Sequence, residues 1–151
     1  MYSDPNSVKR ISSLGAGPIG GGWTAHFLAR GYDVTAYLHD KSEKSSFLSI
    51  LKTAWVSLTE LGLAPDASIE RLRIVTDLEE ALEGAEFVQE SGPERLEVKQ
   101  ELYSEMGKIL PPSIIIGSST SGLMMSDIQS DCSTTERTVI GHPFNPPYLL
   151  P

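Results

Sequence analysis

Three glycines near the N-terminus have the spacing that is typical of a dinucleotide-binding turn. They lie at the first, third and sixth positions of GAGPIG, residues 15–20. Between a strand and a helix, Gly15 permits a tight turn, Gly17 lets a pyrophosphate approach the backbone, and Gly20 lets the helix pack closely on the strand. Free N–H groups at the helix N-terminus attract the phosphates, and Pro18 fits that first turn because its missing N–H is no loss there. The alternative is an ordinary glycine-rich loop.

The predicted cofactor contacts of this turn are Gly15, Gly17, Pro18, Ile19 and Gly20. Strand residues precede the turn from Val8 to Leu14, and helix-spaced apolar residues follow it. This context favours dinucleotide binding over a plain loop.

A histidine and a serine are the candidate catalytic side chains. His142 follows a predicted strand directly, at the end where α/β sheets bind their ligands. Near neutral pH a histidine can take a hydroxyl proton while hydride leaves the same carbon. Ser121 follows another predicted strand, and its hydroxyl can hold a substrate oxygen beside the histidine. The alternatives are a histidine that caps a turn before Pro143 and a serine that makes only local turn bonds.

Strands and helices alternate along the chain, and this predicts a Rossmann-like, doubly wound α/β fold with a mostly parallel sheet. The apolar run IIIG is typical of a strand that helices cover on both faces. Strands are predicted at residues 8–14, 33–38, 73–76, 87–90, 114–117 and 138–141. Helices are predicted from the glycine turn to 30–31, at 41–61, at 77–82, from 93 to 110, and in a short piece from 127.

Composition narrows the classes of function. The net charge of −8 disfavours nucleic acid and anionic membranes as partners. Cys132 is the only cysteine, so an internal disulfide and a cysteine metal cluster are excluded, and three scattered histidines make no metal site. The first ten residues are polar and have no apolar core of a signal peptide, so the expected location is cytoplasmic.

Four segments together resemble the NAD-binding domain of the L-3-hydroxyacyl-CoA dehydrogenase family. They are GAGPIGGGW from Gly15, QESGPERLEVKQELY from Gln89, SSTSG from Ser118 and GHPFNPPYLLP from Gly141. Within the family, the segments PERLEVK and HPFNPPYLLP resemble the carnitine 3-dehydrogenase and lambda-crystallin branch more than the acyl-CoA branch. The resemblance covers nearly the whole chain, so residues 1–151 are expected to form one dinucleotide-binding domain of a longer protein.

The resemblance implies roles for individual residues. His142 takes the position of the catalytic base, and Asn145 that of an asparagine that contacts the cofactor or the catalytic site. Glu90 matches a glutamate on the nicotinamide side. The alternatives are a turn residue before Pro146 for Asn145 and a solvated strand-end carboxylate for Glu90. Glu94 and Arg95 are expected to form the surface of a helix N-terminus and are given no site role.

One position departs from the family pattern. Leu38 stands where the family has the acidic residue that binds the adenine ribose, and leucine accepts no hydrogen bond. Asp40, 20 residues after Gly20, is near the spacing expected for this carboxylate and is our candidate. It can instead cap the following helix. NAD is the expected cofactor, with NADP as the alternative, because Lys41 and Lys44 lie nearby.

The resemblance also implies parts that this sequence lacks. A helical C-terminal domain and a glutamate that orients the catalytic histidine are expected past Pro151, so the chain alone should bind nucleotide but be inactive or nearly so. Homodimerisation would use that domain. A carnitine-like 3-hydroxy acid is the favoured substrate, because coenzyme A phosphates need basic clusters and a quaternary ammonium suits an acidic, aromatic-bearing pocket. An acyl-CoA substrate and a non-catalytic protein on the same fold are the alternatives.

Overall fold

A computed structural model describes residues 4–150, and six parallel strands form its sheet in the order β3-β2-β1-β4-β5-β6. The strands are β1 (Arg10–Leu14), β2 (Asp33–Tyr37), β3 (Leu72–Val75), β4 (Phe87–Glu90), β5 (Ile115–Ser118) and β6 (Thr138–Ile140). The helices are α1 (Pro18–Ala29), α2 (Lys44–Leu61), α3 (Leu78–Leu82), α4 (Leu96–Ile109) and α5 (Met125–Ile128). The predicted doubly wound α/β fold is confirmed.

The apolar side chains form two core clusters, which correspond to the two helical layers. One layer holds α1 and α2, with Leu28, Phe47 and Leu51 fully buried. The other holds α3, α4 and α5, with Tyr103 and Met106 fully buried. Because helices cover both faces, the central strands β1, β4 and β5 are buried along most of their length, and this includes polar residues such as Ser12 and Ser13.

Most predicted ends agree with the structure to within two residues, and the largest differences are at the starts of α4 and α2, each of which begins three residues later than predicted. The structure begins α4 at Leu96, not at 93, because Arg95 is still extended, with φ −133° and ψ 123°. At α2, residues 41–43 form a separate 3-10 turn before the α-helix begins at Lys44. Gly62 ends α2 with φ +103°, as predicted.

The order of the strands creates the crevice in which α/β sheets bind ligands. From β1 the chain winds outward to β2 and β3, and then returns to place β4 on the other side of β1. The register aligns the strand ends in one row, with Leu14 opposite Glu90, Glu90 opposite Ser118, and Ser118 opposite Ile140. The four loops that follow these strands therefore meet at one edge, at the switch point of the sheet.

Within residues 4–150, no helix combines the length and apolarity needed to cross a bilayer. In the same part of the chain, no three His, Cys, Asp or Glu side chains are grouped to hold a metal ion.

Candidate active site

The glycine turn links β1 to α1 and has the geometry of a phosphate site. Gly15 has φ +124°, and a Cβ there would lie 2.3 Å from the carbonyl oxygen of Ser91. A Cβ on Gly20 would lie 2.2 Å from the carbonyl oxygen of Gly15. At Gly17 a Cβ would meet nothing within 4 Å, so the space above this residue is open to a ligand.

The first turn of α1 supplies the hydrogen-bond donors of this site. Gly17 is the N-cap residue and Pro18 follows in the first turn. The intrahelical hydrogen bonds start with the N–H of Gly21, which donates to the Gly17 carbonyl at 2.8 Å. The N–H groups of Ile19 and Gly20 come before this bond, so they have no partner within the helix, and N–H groups at this position of a helix commonly bind anions.

A cleft of about 320 Å³ opens beside the glycine turn, at the carboxyl edge of the sheet. Ile19 of the turn, Ser121 from the loop after β5, and His142 from the loop after β6 all line it. The structure therefore brings together the predicted catalytic pair and the predicted phosphate turn, which lie more than 100 residues apart in the sequence. A cleft of this volume has room for one end of a dinucleotide beside a small hydroxylated substrate.

Glu94, which was expected to be helix surface, lines the cleft and holds the loop of Ser121. Its Oε1 accepts hydrogen bonds from the Thr120 hydroxyl at 2.7 Å, the Ser121 N–H at 2.9 Å and the Gly122 N–H at 3.0 Å. Glu94 is exposed, as expected, but α4 starts only at Leu96, so the residue lies in the segment before the helix and its carboxylate contacts the loop after β5. No signal in the spacing of the helix pattern points to this contact.

Glu90 forms a buried ion pair beneath the cleft. Its side chain is 0% exposed, so the alternative of a solvated strand-end carboxylate is wrong. Its Oε1 accepts from Lys99 Nζ and from the Gly92 N–H, both at 2.6 Å, and its Oε2 accepts from the Ser118 hydroxyl at 2.5 Å. Burial, and then the negative charge of Glu90, raise the pKa of the adjacent Tyr103 phenol, so this group stays neutral.

Comparison with known proteins identifies the domain. Residues 10–151 match the family described as 3-hydroxyacyl-CoA dehydrogenase, NAD binding domain. The chain belongs to this family. Its cofactor is NAD, and the glycine turn and the cleft lie at the switch point where such folds hold a dinucleotide.

Curated relatives of this 3-hydroxyacyl-CoA dehydrogenase domain include L-carnitine dehydrogenases. The chain is 48% identical over 149 residues to the enzyme of Streptomyces coelicolor, which covers 99% of this chain and 47% of that protein. It is 44% identical over 144 residues to the enzyme of Pseudomonas aeruginosa, with 95% of this chain and 45% of that protein covered. The chain thus spans less than half the length of these relatives.

Solved structures in the comparison share the fold. Escherichia coli 3-hydroxybutyryl-CoA dehydrogenase is 27% identical with a TM-score of 0.82, over 93% of this chain and 30% of that chain. The NAD⁺-dependent dismutase 5-formyl-3-hydroxy-2-methylpyridine 4-carboxylic acid 5-dehydrogenase is 31% identical with a TM-score of 0.83, over 93% of this chain and 46% of that chain.

Within this family domain, Asn145 lies outside the cleft of His142. It lines a neighbouring groove of about 240 Å³ together with Pro18, Ile50 and Tyr148. The C-terminal segment therefore reaches the first turn of α1, where Asn145 has an amide free to face a bound cofactor. Its assignment to the cofactor or catalytic site stays a prediction.

The residue at the position where the family binds the adenine ribose is buried in this chain. Leu38 is 0% exposed and packs in the core layer of α1 and α2. Asp40 is exposed and caps the turn before α2: its Oδ1 accepts from the Ser42 N–H at 2.7 Å, and Glu43 accepts from the Asp40 N–H at 3.1 Å. The hydrogen bonds from Ser42 lower the pKa of Asp40. The capping role is confirmed, and contact with the ribose stays a prediction.

Proposed function

We propose that the chain is the NAD-binding half of a dehydrogenase that moves hydride between the 3-hydroxyl carbon of a carnitine-like hydroxy acid and NAD. The observation that carries this proposal is the single cleft that Ile19, Ser121 and His142 line together. The identity of 48% to an L-carnitine dehydrogenase supports the substrate class.

His142 and Ser121 have different roles at the hydroxyl group of the substrate. Ser121 Oγ donates a hydrogen bond to the substrate oxygen and holds it beside the imidazole. His142 takes the hydroxyl proton on a ring nitrogen as the carbonyl forms. Bound NAD supplies the acceptor for the hydride. Glu94 Oε1 accepts from the Ser121 N–H at 2.9 Å and, over a longer distance of 3.4 Å, from the Ser121 hydroxyl. The proposal requires this hydroxyl to turn its one hydrogen from Glu94 to the substrate oxygen when the substrate binds.

The imidazole needs a carboxylate to orient it, and we propose that this group belongs to the part of the whole protein that the chain, at less than half the length of its relatives, does not span. In residues 4–150, no hydrogen bond or ion pair joins His142 to a carboxylate, and the ring is exposed. A base held by an orienting partner is the usual arrangement of such sites. For this reason the chain on its own is expected to bind NADH without efficient turnover.

The charge of the cleft favours a quaternary ammonium over coenzyme A. Among the described residues that line the cleft, Glu94 is the charged one, and none is a lysine or arginine. The phosphates of coenzyme A need such cations, whereas the trimethylammonium of carnitine is attracted by a carboxylate. We also propose that the whole protein forms a homodimer through a further domain and that it is located in the cytoplasm.

A chimera tests the activity. The chain replaces the matching region of the Streptomyces coelicolor relative, and reduction of NAD is followed with L-carnitine or 3-hydroxybutyryl-CoA. We expect NADH formation with carnitine and little with the acyl-CoA. The opposite preference would contradict the substrate, and no reduction by a chimera that binds NADH would favour the non-catalytic alternative.

The variant His142→Gln tests the base in the same chimera. We expect turnover to be lost, by about 10²-fold or more, while NADH affinity stays within about twofold, because the ring acts on the proton and not on the phosphates. Loss of both turnover and NADH binding would show that His142 is structural.

A further inference from the structure

A hydrogen-bond network with one hydroxyl at its centre lies under the cleft. Ser119 Oγ lies 3.1 Å from the indole Nε1 of Trp23, 2.9 Å from the amide Nε2 of Gln89 and 2.9 Å from the hydroxyl oxygen of Ser91. These groups come from α1, from β4 and from the loop after β4. Ser91 and Ser119 line the cleft, whereas Trp23 and Gln89 are not among its lining residues.

The number of protons fixes the direction of these bonds. A serine hydroxyl has one hydrogen to donate and accepts two hydrogen bonds. Trp23 Nε1 and Gln89 Nε2 are both donors, so they fill the two acceptor positions of Ser119. The hydrogen of Ser119 must then go to Ser91, which acts as the acceptor of that bond.

The hydroxyl hydrogen of Ser91 is consequently left for another acceptor. Among residues 4–150, Ser91 Oγ has no second hydrogen-bond partner, and the residue lies at the wall of the cleft. The network therefore presents a donor, and not an acceptor, to whatever the cleft contains.

The position of Ser91 indicates which part of the cofactor it meets. Its N–H donates to the Leu14 carbonyl at 2.7 Å, and its own carbonyl lies against Gly15, at the start of the phosphate turn. His142 lines the same cleft. The group that lies between the phosphates and the reacting carbon is the nicotinamide riboside half of NAD.

We propose that Ser91 binds the nicotinamide riboside half of NAD as an obligate hydrogen-bond donor, and that Trp23, Gln89 and Ser119 set its direction. The proposal rests on the family's NAD site, and it holds whatever the substrate is. The acceptor is an oxygen of the riboside, on the ribose or on the carboxamide. Trp23 is a positioning residue, and its indole stacks on Phe27 with ring centroids 5.3 Å apart, so that Nε1 stays aimed at Ser119.

The first test is the variant Ser91→Ala, studied by calorimetry with NADH, ADP-ribose and ADP. We expect NADH affinity to fall by about 3- to 10-fold, the value of one hydrogen bond, while ADP affinity is unchanged because ADP lacks the riboside. A loss for ADP-ribose as well places the acceptor on the ribose, and a loss for NADH alone places it on the carboxamide. Unchanged NADH affinity, or equal losses for NADH and ADP, would overturn the proposal.

Two further serine variants serve as controls. Ser91→Thr keeps the hydroxyl and should restore most of the NADH affinity. Ser126→Ala removes an exposed hydroxyl on α5, and it should change nothing. An unmutated chain that binds neither NADH nor ADP would contradict the nucleotide site itself, which is a different failure from that of Ser91.

The second test addresses the direction of the network. Trp23→Phe keeps an aromatic ring but removes the N–H, so Ser119 gains a free acceptor position and Ser91 is no longer forced to donate outward. NADH affinity should fall, and it should fall no further when Ser91→Ala is added, because the two residues act as one unit. Additive losses, or no effect of Trp23→Phe, would contradict the role of the network. Gln89→Met removes the other donor and gives the same test if Trp23→Phe does not fold.

Discussion

The carboxylate of Glu94 couples the loop after β4 to the loop that carries Ser121. Partial burial acts to raise the pKa of Glu94, but hydrogen bonds from the Thr120 hydroxyl and from the N–H groups of Gly122 and Ser121 outweigh it, and the pKa is lowered overall. Lys99 adds a weaker attraction, with its Nζ 3.9 Å from Glu94 Oε2. The carboxylate therefore stays ionised well below neutral pH.

This contact predicts an acid-sensitive loop. A carboxylate with a lowered folded-state pKa contributes stability above its unfolded pKa, and the contribution is lost as the pH falls through the folded value. We expect the amide signals of Ser121 and Gly122 to shift together in an NMR titration from about pH 6 to about pH 3, with a midpoint below the ordinary glutamate value of about 4.3. Glu94→Gln should remove this step, and its persistence in the variant would mean that another group titrates.

At the scale of one element, the glycine turn separates folding from binding. Gly20 faces backbone atoms, whereas Gly17 faces open space. Gly20→Ala should destabilise the chain by about 1–3 kcal/mol, because the backbone of the turn must move. Gly17→Ala should unfold like the unmutated chain but lose NADH affinity, since its methyl group occupies the approach of the phosphates.

Urea unfolding and calorimetry with NADH distinguish the two glycine variants. If Gly17→Ala binds NADH normally, the phosphates do not lie over this turn. If Gly20→Ala is as stable as the unmutated chain, the close contact with Gly15 has relaxed at little cost.

Variants of Asp40, in the turn before α2, also distinguish a role in folding from a role in cofactor binding. Asparagine caps a helix as well as aspartate does, so Asp40→Asn should unfold at nearly the same urea concentration as the unmutated chain, whereas Asp40→Ala should unfold at a lower one. We infer that the same carboxylate binds the adenine ribose, and both variants should then weaken NADH by about tenfold, as expected for a hydrogen bond to a charged group. Normal NADH affinity in Asp40→Asn would leave Asp40 with the capping role alone.

For the whole molecule, the alternation of apolar segments predicted the fold, because a parallel sheet needs a crossover helix between successive strands. β4 has the predicted ends, 87–90, and the loops after β5 and β6 were correctly placed at the carboxyl edge. The start of α4 was not predictable, because Pro93 suits both a first helical turn and an extended approach. Contacts such as that of Glu94 with Ser121 depend on this path, so helix periodicity does not reveal them.

The ion pair of Glu90 and Lys99 connects β4 to α4, and the same carboxylate also contacts β5. Lys99 is 1% exposed and Glu90 is 0% exposed, and the carboxylate also accepts from Ser118 on β5. Lys99→Met would leave a buried carboxylate without its counter-charge, and we expect a loss of about 3–5 kcal/mol in the free energy of unfolding by urea. Adding Glu90→Gln should recover part of this loss, because a neutral amide is less costly to bury than a lone charge. Lys108→Met, on the exposed side of the same helix, should change stability by no more than about 0.5 kcal/mol. If Lys99→Met unfolds at the same urea concentration as Lys108→Met, the buried pair does not stabilise the junction of these three elements.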